Sequence, residues 1–171
     1  MNKNQAVDDP VPEPSERVEV DGLEHLYGMP GFLVRRAKQK TTALFIERCS
    51  EFGMTPPQYA VMRILKARPG LDQSEIANLA EMDDATIGGI LERLRKRGLT
   101  VRRREGRRHI TLLTDAGADM LNDLASVVAE VQREILSPLT EREQRQLKRL
   151  LSKMTETANE YHRPRRPRMR C

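Results

Sequence analysis

Between Asp72 and Leu113 the chain sets out two short capped helices and then an arginine-rich strand–turn–strand. Few folds accommodate that succession. Asp72-Gln73-Ser74-Glu75 pairs a cap residue with a carboxylate three positions on, which is how helices begin. Ile76, Leu79 and Ala80 then recur at helical spacing as an inward face. Asp83 is placed to cap the next helix, which runs from Asp84 to about Arg97. Ile87, Ile90, Leu91 and Leu94 are its buried stripe, and Gly98 is its stop. Thr100 to Arg104 and Arg108 to Leu113 are then strand-like, rich in Thr, Val, Ile and Leu, with Glu105-Gly106 as the turn. Two helices around an 81–83 turn make a helix–turn–helix, and the basic hairpin makes a wing.

The flanking sequence is helical. Residues 31–52 carry Leu33, Val34, Ala37, Thr41, Leu44, Phe45 and Phe52 at helical spacing, ended by Gly53. Thr55-Pro56-Pro57-Gln58 opens a second helix with a capping box and proline in the first turn. Val61, Ile64 and Leu65 are its inner stripe, and Pro69-Gly70 ends it. Thr114-Asp115 opens a long helix with Met120, Leu121, Leu124, Val127, Val128, Val131 and Ile135 in register, stopped by Pro138. Thr140-x-x-Glu143 opens the last helix, with Leu147, Leu150, Leu151, Met154 and Ala158 as its stripe. The expected fold is mainly α: four helices, a β-hairpin and two more helices, a winged helix–turn–helix between flanking helices. Residues 1–26 read as an acidic disordered arm, and residues 162–171 as a basic, proline-broken tail.

Composition narrows the function. No apolar run is long enough to span a bilayer, and the polar, acidic first residues form no secretory signal, so a cytoplasmic, nucleoid-associated protein is expected. Cys49 and Cys171 make no disulfide framework, and His25, His109 and His162 are scattered without metal-ligand spacing. No nucleophile elbow, phosphate loop or paired histidine motif occurs. An enzyme, a cofactor and a metal are therefore not expected. The net charge of +5 hides a segregation. Residues 1–26 hold seven acids and two bases, whereas residues 93–108 hold nine bases and one acid. Charge gathered so tightly fits a polyanion, and double-stranded DNA is the expected partner.

At this point the sequence resembles the MarR family of bacterial transcription regulators over about residues 27–161. The resemblance is carried by "MTPPQYAVMRIL", "LDQSEIANLAEMDDATIGGILERLRKRGL" and "ITLLTDAGADML" in that order, with the basic hairpin between the last two. It implies an obligate homodimer, with residues 27–54 and 115–161 supplying the dimer helices. Residues 55–114 form the DNA-binding winged helix, one per half-site of a pseudo-palindromic operator. It also implies a repressor released by a small aromatic carboxylate or a CoA thioester. The opening from His25 to Arg36 is similar to branches that control aromatic-acid breakdown, including nicotinate-type and hydroxycinnamoyl-CoA compounds. The chain departs from the family pattern in its wing, which is shorter and reads Gly106-Arg107-Arg108 where Asp-Arg-Arg is usual. The acid that braces those arginines is therefore expected to be missing, and the wing to reach less far. The recognition helix also begins Asp83-Asp84 where an Asp-Arg pair is common.

These readings name two sets of residues. The major groove admits a helix, whose first residues meet base edges. The outward positions are Asp84, Ala85, Thr86, Gly88, Gly89, Glu92, Arg93 and Lys96. Adjacent glycines inside a helix cost about 1 kcal/mol each relative to Ala, which suits a face that something must approach closely. Gln73 and Ser74, at a helix N-terminus, suit phosphate, as do Arg102, Arg103, Arg104, Arg107 and Arg108 in the wing. The ligand set is His25, Tyr27, Phe32, Arg35, Arg36, Gln39, Tyr59, Met62 and Arg63, a buried arginine there being suited to bidentate pairing with a carboxylate. Two alternatives stand beside this reading. One is a redox sensor using Cys49, although its place between Phe45 and Phe52 favours a buried structural thiol. The other is a DNA-compacting protein without sequence preference.

Overall fold

The computed structural model describes residues 22–158. The elements are α1 (Gly22–Gly28), α2 (Pro30–Arg48), a 3-10 turn (Ser50–Phe52), α3 (Pro56–Ala67), α4 (Gln73–Ala80), α5 (Asp84–Lys96), β1 (Thr100–Glu105), β2 (Arg108–Leu113), α6 (Asp115–Leu136) and α7 (Glu141–Ala158). The chain divides after Gln39 into two units. Most of the expected acidic arm and all of the basic tail, Cys171 included, lie outside the described residues. The arm's expected end at residue 26 is corrected, because Gly22–Gly28 is helical.

The helix ends are built as their residues dictate. Thr55 and Gln58 close a capping box at α3, and Asp72 and Glu75 close one at α4. Thr114 Oγ1 accepts the Gly117 N–H at 3.1 Å and opens α6. Helix α5 ends in a Schellman arrangement: Gly98 sits at φ 71°, with Gly98 N–H to Arg95 O at 2.9 Å and Leu99 N–H to Leu94 O at 3.0 Å. Leu94 and Leu99 are both buried, so the stop is also a packing contact. The same device ends α4, where Glu81 takes the left-handed conformation at φ 53° and Met82 N–H reaches Ala77 O.

The core lies in the C-terminal unit, where Met54, Val61, Met62, Leu65, Ile76, Ile87, Ile90, Leu94, Leu121, Leu124 and Val131 pack together. It seats α3, α4 and α5 as a three-helix group with α6 against α3. Strands β1 and β2 pair antiparallel in the register Thr100↔Leu113 to Glu105↔Arg108. The loop is therefore Gly106-Arg107, one residue later than expected from sequence. Gly106 stands at φ 59° while Arg107 does not, the pattern of a type II′ hairpin turn. Leu71 adds a third edge, its carbonyl accepting Thr111 N–H at 2.8 Å.

Three expected core faces are covered only in part. Leu33, Val34 and Leu79 are exposed, and Phe45 is the buried residue of α2. In α4 the short helix turns Ile76 and Ala77 inward, which leaves Leu79 pointing away. Helix α7 is strongly amphipathic, yet Leu150, Leu151 and Met154 lie open to solvent. Periodicity marks an apolar face but does not say what covers it.

Candidate nucleic-acid interface

Helix α5 is oriented by three independent anchors. At its start, Asp83 Oδ1 accepts Thr86 N–H at 2.8 Å and Oδ2 accepts Thr86 Oγ1–H at 2.7 Å. The Thr86 hydroxyl and then its N–H hold the Asp83 carboxyl below the usual carboxylate range. On its flank, Gln73 Nε2 donates to the Asp84 carbonyl at 2.9 Å. At its end, Arg97 forks onto two consecutive carbonyls, Gly53 at 2.8 Å and Phe52 at 2.6 Å.

The outward face matches the sequence expectation in part. Asp84, Ala85 and Thr86 are exposed, as are Arg93 and Lys96, while Ile87, Ile90 and Leu94 point inward. The two glycines separate. A Cβ on Gly88 would lie 3.2 Å from Gln73 Nε2, so the close approach is made by Gln73 from within the chain. Gly89 meets only Arg93, its Cβ position being 3.6 Å from a guanidinium nitrogen. Gln73 stays exposed, and its amide nitrogen braces α4 to α5 through the Asp84 carbonyl. Ser74 is exposed in the first turn of α4. Glu92 is neutralised by Arg95 at 2.8 Å, with Lys96 at 3.8 Å. Arg95 first, then Lys96 at longer range, keep its carboxyl low.

In the wing, strand alternation sorts the arginines. Arg102, Arg104 and His109 share one face, since Arg102 pairs with Thr111 and Arg104 with His109, while Arg103 and Arg108 share the other. Arg102 and His109 line a cleft of about 120 Å³ against Gly88, Glu92 and Arg95 of α5. Sequence reading missed His109; its signal was the two-residue period counted from the turn. No carboxylate pairs with Arg102, Arg103, Arg104 or Arg107 among the described residues. Arg104 Nε donates to the Gly106 carbonyl at 3.0 Å. Arg108 differs from those four: its Nη2 bonds Asp72 Oδ2 at 2.7 Å and Glu75 Oε2 at 2.5 Å. Arg108 therefore finds its bracing acids at the start of α4 rather than in the wing, while Arg107 has none among the described residues.

The expected ligand residues fall in two places. In the N-terminal unit, the Tyr27 and Phe32 rings sit 5.6 Å apart, Arg35 lies 4.8 Å over Phe32 and Arg36 lies 5.5 Å over Tyr27. Cations hold to ring faces in this way through the ring quadrupole. No carboxylate pairs with either arginine among the described residues. Both are exposed in the single chain, as are His25 and Gln39. In the C-terminal unit, Met62 is fully buried beside Val61 and Leu65; it is core, which corrects its place in the ligand set. Tyr59 packs on Phe45 at 5.8 Å between centroids, and Arg63 is exposed. Cys49 is buried, and burial pushes its thiol pKa up, the opposite of what an oxidant-sensing thiolate needs.

Among the described residues no group of three potential metal ligands gathers, and no helix is long and apolar enough to cross a membrane. The model of the MarR family matches residues 54–107. The chain is 34% identical over 107 residues to the transcriptional regulator HosA of Escherichia coli, covering 61% of this chain and 79% of that one. It is also similar to the solved structure of Bordetella bronchiseptica BpsR, described for regulation of DNA binding by 6-hydroxynicotinic acid. There the TM-score is 0.73 at 25% identity, over 76% of this chain and 96% of that one. The transcriptional repressor CouR, bound to a 23-mer DNA duplex, superposes with a TM-score of 0.70 at 31% identity, over 80% of this chain and 96% of that one.

Proposed function

This chain belongs to the MarR family of transcriptional regulators, and from that premise we propose that it is a homodimeric repressor released from its operator by a small aromatic carboxylate. It is a DNA-binding transcriptional regulator and not an enzyme. The observation that carries the site assignment is the juxtaposition of α5 with a wing bearing four arginines that no carboxylate neutralises among the described residues. Helix α5 enters the major groove with Ala85 and Thr86 leading, the Thr86 methyl and Ala85 being suited to a thymine methyl. Arg102, Arg103, Arg104 and Arg107 take phosphates, with Ser74 at the start of α4 and Arg93 and Lys96 on α5 as further polar contacts. A second copy covers the open apolar face of α7, and the open apolar side chains of α1 and α2 call for the same partner. Two-fold symmetry then sets two half-sites about 10 base pairs apart.

The effector reading rests on the N-terminal cluster. Two arginines lie against aromatic rings without a carboxylate partner among the described residues, so an aromatic acid finds both a ring surface and a charge there. BpsR and its 6-hydroxynicotinic acid make that chemistry the first to try. The ligand must prefer a dimer geometry in which the two α5 helices no longer match the half-sites, since equal affinity for both geometries shifts nothing. The test is fluorescence anisotropy on labelled DNA from upstream of the gene, in excess random competitor, titrated with aromatic carboxylates and their CoA thioesters. The expected result is competitor-resistant binding that one compound releases, and that the same compound no longer releases when Arg35→Ala and Arg36→Ala are combined. Binding that random DNA removes would point instead to a compacting protein.

A further inference from the structure

Arg108 stands apart from the other wing arginines. One nitrogen, Nη2, bonds both Asp72 Oδ2 and Glu75 Oε2. These are the two carboxylates that close the capping box of α4: Asp72 Oδ1 accepts Glu75 N–H at 2.9 Å, and Glu75 Oε2 accepts Asp72 N–H at 2.9 Å. No other cation pairs with either acid among the described residues. The contact also ties the tip end of β2 to the first turn of α4, 33 and 36 positions away in sequence.

We propose that Arg108 is a positioning residue for DNA binding, acting through Asp72 and Glu75 and making no phosphate contact of its own. The inference rests on the winged-helix DNA reading above. The first helix of a helix–turn–helix crosses the DNA backbone, and its N-terminus is where the helix dipole favours an anion. Two carboxylates at that end already occupy the dipole and repel phosphate. Arg108 cancels one of those charges and fixes the strand that follows the free wing arginines. A phosphate that drew Arg108 away would leave both acids uncompensated beside the polyanion. The chain thus uses four wing arginines as ligands and one as an internal counterion.

The test is a mutant cycle read by anisotropy on a labelled duplex of arbitrary sequence at fixed salt. The proteins are the native chain, Arg108→Ala, Asp72→Asn with Glu75→Gln, and all three changes together. Asn and Gln keep both caps, and thermal unfolding of each variant confirms that it is folded. Arg108→Ala is expected to weaken binding about tenfold in the native background and less than about twofold once the acids are neutral, as coupled neighbours behave. Arg108→Lys, which returns one cationic nitrogen to both acids, is expected to recover most of the loss. Equal losses in both backgrounds, no loss in either, or a lysine no better than alanine would overturn the proposal. A native chain that fails to bind the duplex at all would instead sink the DNA reading beneath it.

Discussion

Gly117 in the first turn of α6 is the position where one methyl group should do most harm. A Cβ built there runs into the Leu99 carbonyl oxygen and lies 3.0 Å from two carbons of the Leu113 side chain. The carbonyl cannot rotate aside like a side chain. It accepts Thr114 N–H at 3.1 Å, and Thr114 Oγ1 in turn donates to Gly98 O at 2.7 Å. Two effects oppose each other. Alanine favours the helix by about 1 kcal/mol over glycine. Overpacking a tight site costs about 1–3 kcal/mol, and occasionally more; a backbone neighbour places this site at or above the upper end. Gly117→Ala should therefore lose about 2 kcal/mol net, lowering the melting temperature by about 4–8 °C for a chain of this size. Urea unfolding followed by circular dichroism, at fixed protein concentration because the proposed dimer contributes, measures it. An alanine variant as stable as the native chain would refute the packing argument.

Gly89→Ala should act in the opposite sense on the free protein, adding about 0.5–1 kcal/mol of stability, because only the Arg93 side chain is near. The same variant should bind DNA more weakly in anisotropy, since the methyl lies on the face proposed to enter the groove. Glu81→Gly should add about 1 kcal/mol in the same unfolding assay by relieving a left-handed non-glycine residue, whose φ is 53°. Arg103→Ala with Arg104→Ala should weaken binding to all sequences alike and reduce the log–log salt slope by about 1.8. The Asp83 carboxyl is held low in the folded chain, so its contribution is complete at neutral pH and is lost as the pH falls below about 4. The stability gap between native and Asp83→Asn should therefore close on acidification, which unfolding midpoints from neutral to acid pH would show.

Local rules make most of the fold legible. Caps at Thr55, Asp72, Asp83, Thr114 and Thr140, and stops at Gly53 and Gly98, act within a few residues, so they can be read directly from the chain. The core positions of α5 and α6 follow from periodicity for the same reason. What escapes depends on contacts distant in sequence. Nothing near Arg108 announces that its partners are Asp72 and Glu75, and nothing near Gly88 announces Gln73. Met62 misleads because a residue beside a buried stripe and a residue lining a pocket look alike in sequence. The open faces of α2 and α7 are legible as apolar, but the surface proposed to cover them belongs to another copy. The candidate site is thus visible as a charge footprint, while the distinction between the arginine paired with internal acids and the others requires the register of the hairpin.

The regulator assignment stands or falls on whether two copies of α5 read two halves of one inverted sequence. Selection of bound duplexes from a random-sequence library, followed by sequencing of the enriched pool, tests this whatever the operator proves to be. The expected product is an inverted repeat whose half-site centres lie about 10 base pairs apart. A pool enriched for a single half-site, for a direct repeat, or for no sequence at all would contradict it.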